Sequence, residues 1–190
     1  MAGAMGRAKG ELRAAGLAVE QMRAAKTFGD FEISWQNFLT TVEKLWTKLL
    51  KAVRDEKGFQ QWHMPYTSQR KTDPLLLYIA HARDVDQHTI EELLGVRPGP
   101  VEYRNLTFGP GSLSIMSNGD IHHDGRTSIS GTVIRHPPRV ALLPVTNRGI
   151  VYPVPSTHLG TPCNREPLAV AEAALAFYAR MVTDAEARFS

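Results

Sequence analysis

The sequence predicts a mainly α-helical protein with a β-rich insertion ahead of its last helix. Two observations predict it. Apolar residues recur at helical spacing over Asp30–Glu56, Thr72–Leu94 and Glu166–Phe189. Between Gly95 and Arg165 the texture changes to short β-branched runs broken by Gly, Pro and Asn. At 190 residues with 43% hydrophobic content, the chain is long enough to bury a core of its own. The expected layout is a four-helix bundle interrupted once. Residues 1–96 form its first part, 97–165 the antiparallel hairpins and 166–190 the final bundle helix.

Met1–Lys26 is Ala-rich with scattered charge. Leu12, Leu17, Val19 and Met22 give it a thin apolar stripe, and its start is expected to fray. Thr27-Phe28-Gly29-Asp30 breaks this helix. Asp30–Glu56 follows, with Asp30 as cap. Its stripe is Phe31, Trp35, Phe38, Val42, Leu45, Trp46, Leu49 and Val53, which reads as core rather than as a ligand platform. Lys57–Lys71 reads as a linker that carries Trp62, His63 and Tyr66 and ends in the basic pair Arg70-Lys71.

Thr72–Leu94 carries the clearest punctuation. Asp73 suits the cap, Pro74 the first turn, and Gly95 with Pro98-Gly99-Pro100 the stop. On a helical wheel Leu75, Leu76, Ile79, Ala82, Ile90 and Leu93 share one side. Arg83 and Asp86 fall in the same sector, while His81, Asp84 and His88 share the opposite one. A buried charge needs a partner, so two readings stand: an Arg83–Asp86 ion pair at i, i+3, or a polar groove or subunit interface lined by this helix.

In the insertion, Val101–Phe108, Ser112–Ser117, Asp120–His123, Ser128–Arg135, Arg139–Val145 and Gly149–Val154 read as strands. Asn118-Gly119 is a hairpin signal, and Asn147-Arg148-Gly149 marks another turn. Ser156–Arg165 reads as a loop. Pro167 then opens Glu166–Phe189, whose apolar face requires it to fold back onto the earlier helices.

The net charge is +3 and the pI near 9.1. From Arg97 to Arg165 the cations are seven arginines and no lysine, against three acids. Arginine forks suit phosphate, so this segment is read either as a nucleic-acid contact or as a solvated β surface. One cysteine, Cys163, excludes an intramolecular disulfide and a four-cysteine zinc site. His122-His123-Asp124 with His136 or His158 lacks metal-ligand spacing, so no metal and no cofactor are expected. No Gly-rich phosphate loop follows a strand, and Ser128, Ser130 and Ser156 lack a nucleophile-elbow context. No apolar run is long enough for a membrane span and no export signal stands out, so a cytoplasmic protein is expected.

What remains is Arg83-Asp84-Val85-Asp86-Gln87-His88, an arginine, four intervening residues and a histidine on a helix. With the long amphipathic helix before it and a polar residue right after the arginine, this resembles the HEPN superfamily of helical bundles with an Arg-x4–6-His motif. The resemblance covers the helical half of the chain. It implies a metal-independent endoribonuclease of toxin or defence type, acting on RNA as a homodimer and restrained by a neutralising antitoxin or other protein partner. Arg83, Asp84 and His88 occupy the motif's positions as catalytic residues, with Asp84 where asparagine is commoner. His88 would act as general base or acid, Arg83 would hold the phosphate, and Asp84, one turn before His88, would orient its ring. Arg70 and Lys71 would rim the cleft for RNA. The other function implied is a non-catalytic HEPN-like module that dimerises or binds a partner. In the dimer expected here, two copies of Asp73–Leu94 face each other, Arg83 against Asp86 of the other chain.

Overall fold

A computed structural model of the chain describes residues 2–88, 92–109, 113–116, 121–123 and 129–189. The protein is mainly helical, with five helices among the described residues and small antiparallel sheets before the last of them. The helices are α1 (Ala2–Ala24), α2 (Phe28–Val53), α3 (Phe59–Thr72), α4 (Pro74–His88) and α5 (Pro167–Phe189). The expected count of four is therefore corrected to five.

α1 packs along α2 through small side chains. Ala8, Ala15, Ala18, Val19 and Met22 are buried, while Leu17 is 59% exposed. Alanine is both a strong helix former and small enough for two helices to approach closely. The real seam is thus an alanine stripe and not the leucines of the expected one. α2 starts two residues earlier than expected. Thr27 caps it, its Oγ1 accepting from the Asp30 N–H at 3.1 Å and donating to Asp30 Oδ2 at 2.6 Å. Asp30 thus closes a reciprocal capping pair from inside the first turn. Trp35, Phe38, Leu39, Val42, Leu45, Leu49 and Val53 of α2 form the core floor.

α3 occupies the expected linker. Pro65 costs a helix interior about 3 kcal/mol, and ring packing along the segment offsets that cost. Trp62 lies edge-on to Phe189 at 5.6 Å and Tyr66 edge-on to Phe177 at 5.8 Å, tying α3 to α5. On the other side His63 stacks on Phe59 at 4.9 Å. The expected packing of the second, third and last sequence-predicted helices holds, with α2, α4 and α5 all in mutual contact. Tyr178, Phe177 and Met181 of α5 are buried among them.

α4 is described as far as His88 and does not reach Leu94; residues 89–91 lie outside the described segments. Gly95 is not a helix stop. It lies in β1 (Leu94–Arg97), where a Cβ would stand 3.2 Å from Leu143 Cδ2. The strand pairs with β6 (Arg139–Leu142), and the Leu143 N–H donates to Leu93 O at 3.0 Å.

Two compact units divide the chain: one of residues 1–95 with 141–190, the other of 96–140. In the second, β2 (Val101–Phe108) pairs antiparallel with β5 (Ile129–Arg135), with a register shift between Arg104 and Thr107. Also in it, β3 (Leu113–Ile115) pairs antiparallel with β4 (Ile121–His123). Both expected hairpin arms are thus present, but Asn118-Gly119 lies outside the described residues. In the first unit, β7 (Val145–Asn147) and β8 (Ile150–Tyr152) form a hairpin closed by Arg148 at φ 52° and Gly149 at φ 78°. Positive φ at both central residues matches the right-handed strand twist. The expected loop Ser156–Arg165 holds a smaller hairpin of the same kind, β9 (Thr157–His158) and β10 (Thr161–Pro162), turning at Leu159 and Gly160. β7, β8 and β9 all lie against α4.

Candidate functional site

α4 is the helix around which the first unit's polar groups gather. Its start is fixed as the sequence implies. Asp73 Oδ1 accepts from the Leu76 N–H at 3.0 Å, and Pro74 opens the first turn. The carboxylate is only 6% exposed and does more than cap. Its Oδ2 accepts from the Leu159 N–H at 2.6 Å, and Nδ1 of His158 donates to Oδ1 at 2.9 Å. The β9–β10 hairpin is thereby tied to the N-terminus of α4.

Leu75, Leu76, Tyr78, Ile79, Ala82 and Val85 form the buried face of α4. Arg83 sits beside it, with its side chain 27% exposed. Its guanidinium donates to Asp84 Oδ1 at 3.2 Å. The Arg83 Nε is buried and has no partner among the described residues. Gln36 of α2 and the Arg83 charge both favour the ionised Asp86 carboxylate. Burial outweighs both and pushes its carboxyl above the ordinary value. The intrachain partner of Arg83 is therefore its neighbour Asp84, in place of the expected i, i+3 bond to Asp86. The side chain of His88 lies outside the described residues. On the regular helix that carries both, the Cα–Cβ directions of Arg83 and His88 differ by roughly 140°.

A cavity of about 390 Å³ opens between α2, α3 and α4. Trp46, Leu50, Leu77 and Ala80 supply its apolar wall. Arg70, Lys71, His63 and His81 stand at its polar edge, so the structure brings together the basic pair and the first histidine of the α4 polar face. Arg70 is not a free cation. It is paired with Glu43 and lies over the Trp46 ring at 4.6 Å. Lys71 makes no ion pair among the described residues.

The two histidines have fixed partners. His81 stacks on Tyr152 at 3.7 Å, and the Asn147 amide donates to its Nδ1 at 3.0 Å. His63 shares a 2.7 Å hydrogen bond with Thr67 Oγ1 and stacks on Phe59. Burial lowers the pKa of both rings. Lys71 lowers His63 further; at His81 Asp84 opposes the shift and Arg148 adds to it. Both rings are neutral near pH 7.

Sequence reasoning missed His63 and the cavity role of Trp46. The signal was present: Phe59, His63, Thr67 and Arg70 recur at i, i+4, i+8, i+11, one face of a helix. Reading Lys57–Lys71 as a linker hid it. Among the described residues no group of three or more His, Cys, Asp and Glu could hold a metal ion. The side chains of His122 and His123, with Asp124, lie outside the described residues. No described helix is long and apolar enough to cross a membrane.

Comparison with protein-family models, with curated proteins and with solved structures finds no match to the chain. The fold and site define a five-helix, mainly α protein with small antiparallel hairpins, polar groups gathered along α4 and a cation-edged cavity beside it.

Proposed function

We propose that the protein is a HEPN-like, metal-independent endoribonuclease that works as a homodimer. One observation carries the reading: the Arg83 side chain is 27% exposed at the edge of the buried face of α4, and among the described residues its guanidinium is bonded only to the exposed Asp84 beside it in sequence. The terminal nitrogens of that guanidinium can meet a phosphate oxygen, the partner this side chain suits.

The chemistry needs no metal. His88 accepts the proton of a ribose 2′-hydroxyl as that oxygen attacks phosphorus. The new 2′-O–P bond forms, the P–O5′ bond breaks, and a protonated histidine donates to the departing O5′. The products are a 2′,3′-cyclic phosphate and a 5′-hydroxyl. Arg83 neutralises the charge that builds on the phosphoryl oxygens. Because Arg83 and His88 diverge on one helix, the site requires a second chain, with α4 facing α4 across a two-fold axis. Lys71 and Arg70 lie one helix away, where they attract a polyanion. A toxin or defence role, with a neutralising antitoxin or other protein partner and a cytoplasmic location, fits that activity.

A second reading is a non-catalytic HEPN-like dimerisation or partner-binding module. It is favoured by the Arg83–Asp84 bond, which already neutralises part of the guanidinium charge. Incubation of purified protein with RNA in excess chelator tests the two. Cleavage that Arg83→Ala and His88→Ala each reduce at least 100-fold supports the enzyme. Cleavage that survives both substitutions, or that needs added metal, rejects this site.

A further inference from the structure

We propose that the cavity between α2, α3 and α4 binds a small, mostly apolar organic anion, an aromatic monocarboxylate, with its ring against Trp46 and Leu77 and its carboxylate at Lys71. This inference does not rest on RNA cleavage. The cavity is open to solvent on one side and has a volume of about 390 Å³. It lies in the range of small-molecule sites, roughly 300–1,000 Å³.

The edge is also prearranged. His81 is clamped by Tyr152 and Asn147, His63 by Phe59 and Thr67, and Trp46 is covered by Arg70. These rings already have fixed partners, so filling the cavity costs little side-chain ordering. The charge pattern selects the ligand. Arg70 is balanced by Glu43 and the two histidines are neutral near pH 7, which leaves Lys71 as the uncompensated cation among the residues lining the cavity. Inorganic phosphate would face an apolar wall, and a nucleobase would bury polar edges without partners there. A ring with a single carboxylate meets both halves of the site.

Calorimetric titration of the full chain with 2-naphthoate and with its uncharged counterpart 2-naphthalenemethanol tests the proposal. The expected result is one naphthoate per chain, bound about two- to fivefold more tightly than the alcohol, the strength of one exposed ion pair. Lys71→Glu removes that preference and leaves the alcohol bound. Ala80→Phe fills the cavity and abolishes binding of both. No binding by the wild type, equal affinity for the two ligands, or undiminished affinity in a folded Ala80→Phe variant would overturn the proposal. Should Ala80→Phe fail to fold, Lys71→Glu decides, because a naphthoate preference that survives it refutes the anion site. Ala80→Phe leaves Arg83, His88 and Lys71 intact, so RNA cleavage is scored separately in that variant.

Discussion

Replacing Asp73 by alanine removes three acceptor contacts at once. The side chain caps α4 at Leu76, receives the Leu159 N–H and holds His158. An N-cap is worth about 1 kcal/mol. A hydrogen bond to a charged group adds about 1.5–3 kcal/mol, and the exposure of Leu159 argues for counting the hairpin contacts as one such bond together. The expected loss is roughly 3 kcal/mol. For a chain of this length each kcal/mol shifts the melting temperature by about 2–4 °C, so the drop should be roughly 6–12 °C. Asp73→Asn keeps one carbonyl acceptor and should lose about half as much. Thermal unfolding followed by circular dichroism gives the size of the effect. Hydrogen exchange locates it, since the Leu159 amide should lose protection in Asp73→Ala while amides in the middle of α2 keep theirs. A melting temperature within about 2 °C of wild type, or an unchanged Leu159 amide, would refute the claim that this carboxylate ties the hairpin to the helix.

Two further outcomes are expected. His63 and His81 have folded pKa values below the ordinary 6.5, so the unfolded chain binds protons that the folded chain refuses. Their contribution to stability is complete above pH 6.5 and is lost as pH falls through the folded values. Denaturant titrations at pH 7.5 and 5 should show this loss, and the double variant His63→Gln/His81→Gln should flatten it; an unchanged slope in that variant would exclude these rings as the source. Sedimentation at micromolar concentration should give a dimer that Arg83→Glu dissociates, because like charges then face each other across the axis. A species of monomer mass, unaffected by the substitution, would count against the two-chain site.

The helices α2, α4 and α5 were legible because each carries an apolar stripe wide enough to define a core face, and the cap at Asp73 was legible from Asp-Pro alone. β2 matches its expected bounds because its run of residues is bracketed by proline and glycine. Three features were hidden. α3 depends on rings of α2 and α5 for its packing. The passage from α4 to β1 before Leu94 is not marked by a breaker, since the next glycine serves a close approach to Leu143. The β9–β10 hairpin is held by Asp73, 85 residues from His158, which no local window reads. As for the site, the polar cluster on α4 and the basic pair before it were visible in the chain. The intrachain bond of Arg83 to Asp84 was not, because a wheel places Cβ atoms and leaves the reach of a guanidinium open.

The most direct test of the two-chain site is cleavage by mixed variants. Arg83→Ala and His88→Ala chains, each inactive alone, are denatured, mixed in equal amounts, refolded together and incubated with end-labelled RNA in excess chelator. If each site takes Arg83 from one chain and His88 from the other, half of the randomly paired dimers carry one intact site of two. The mixture should then recover about a quarter of wild-type cleavage, with a 2′,3′-cyclic phosphate at the new end. A wild type that leaves the RNA whole, or a mixture as inactive as its two components, would contradict the account.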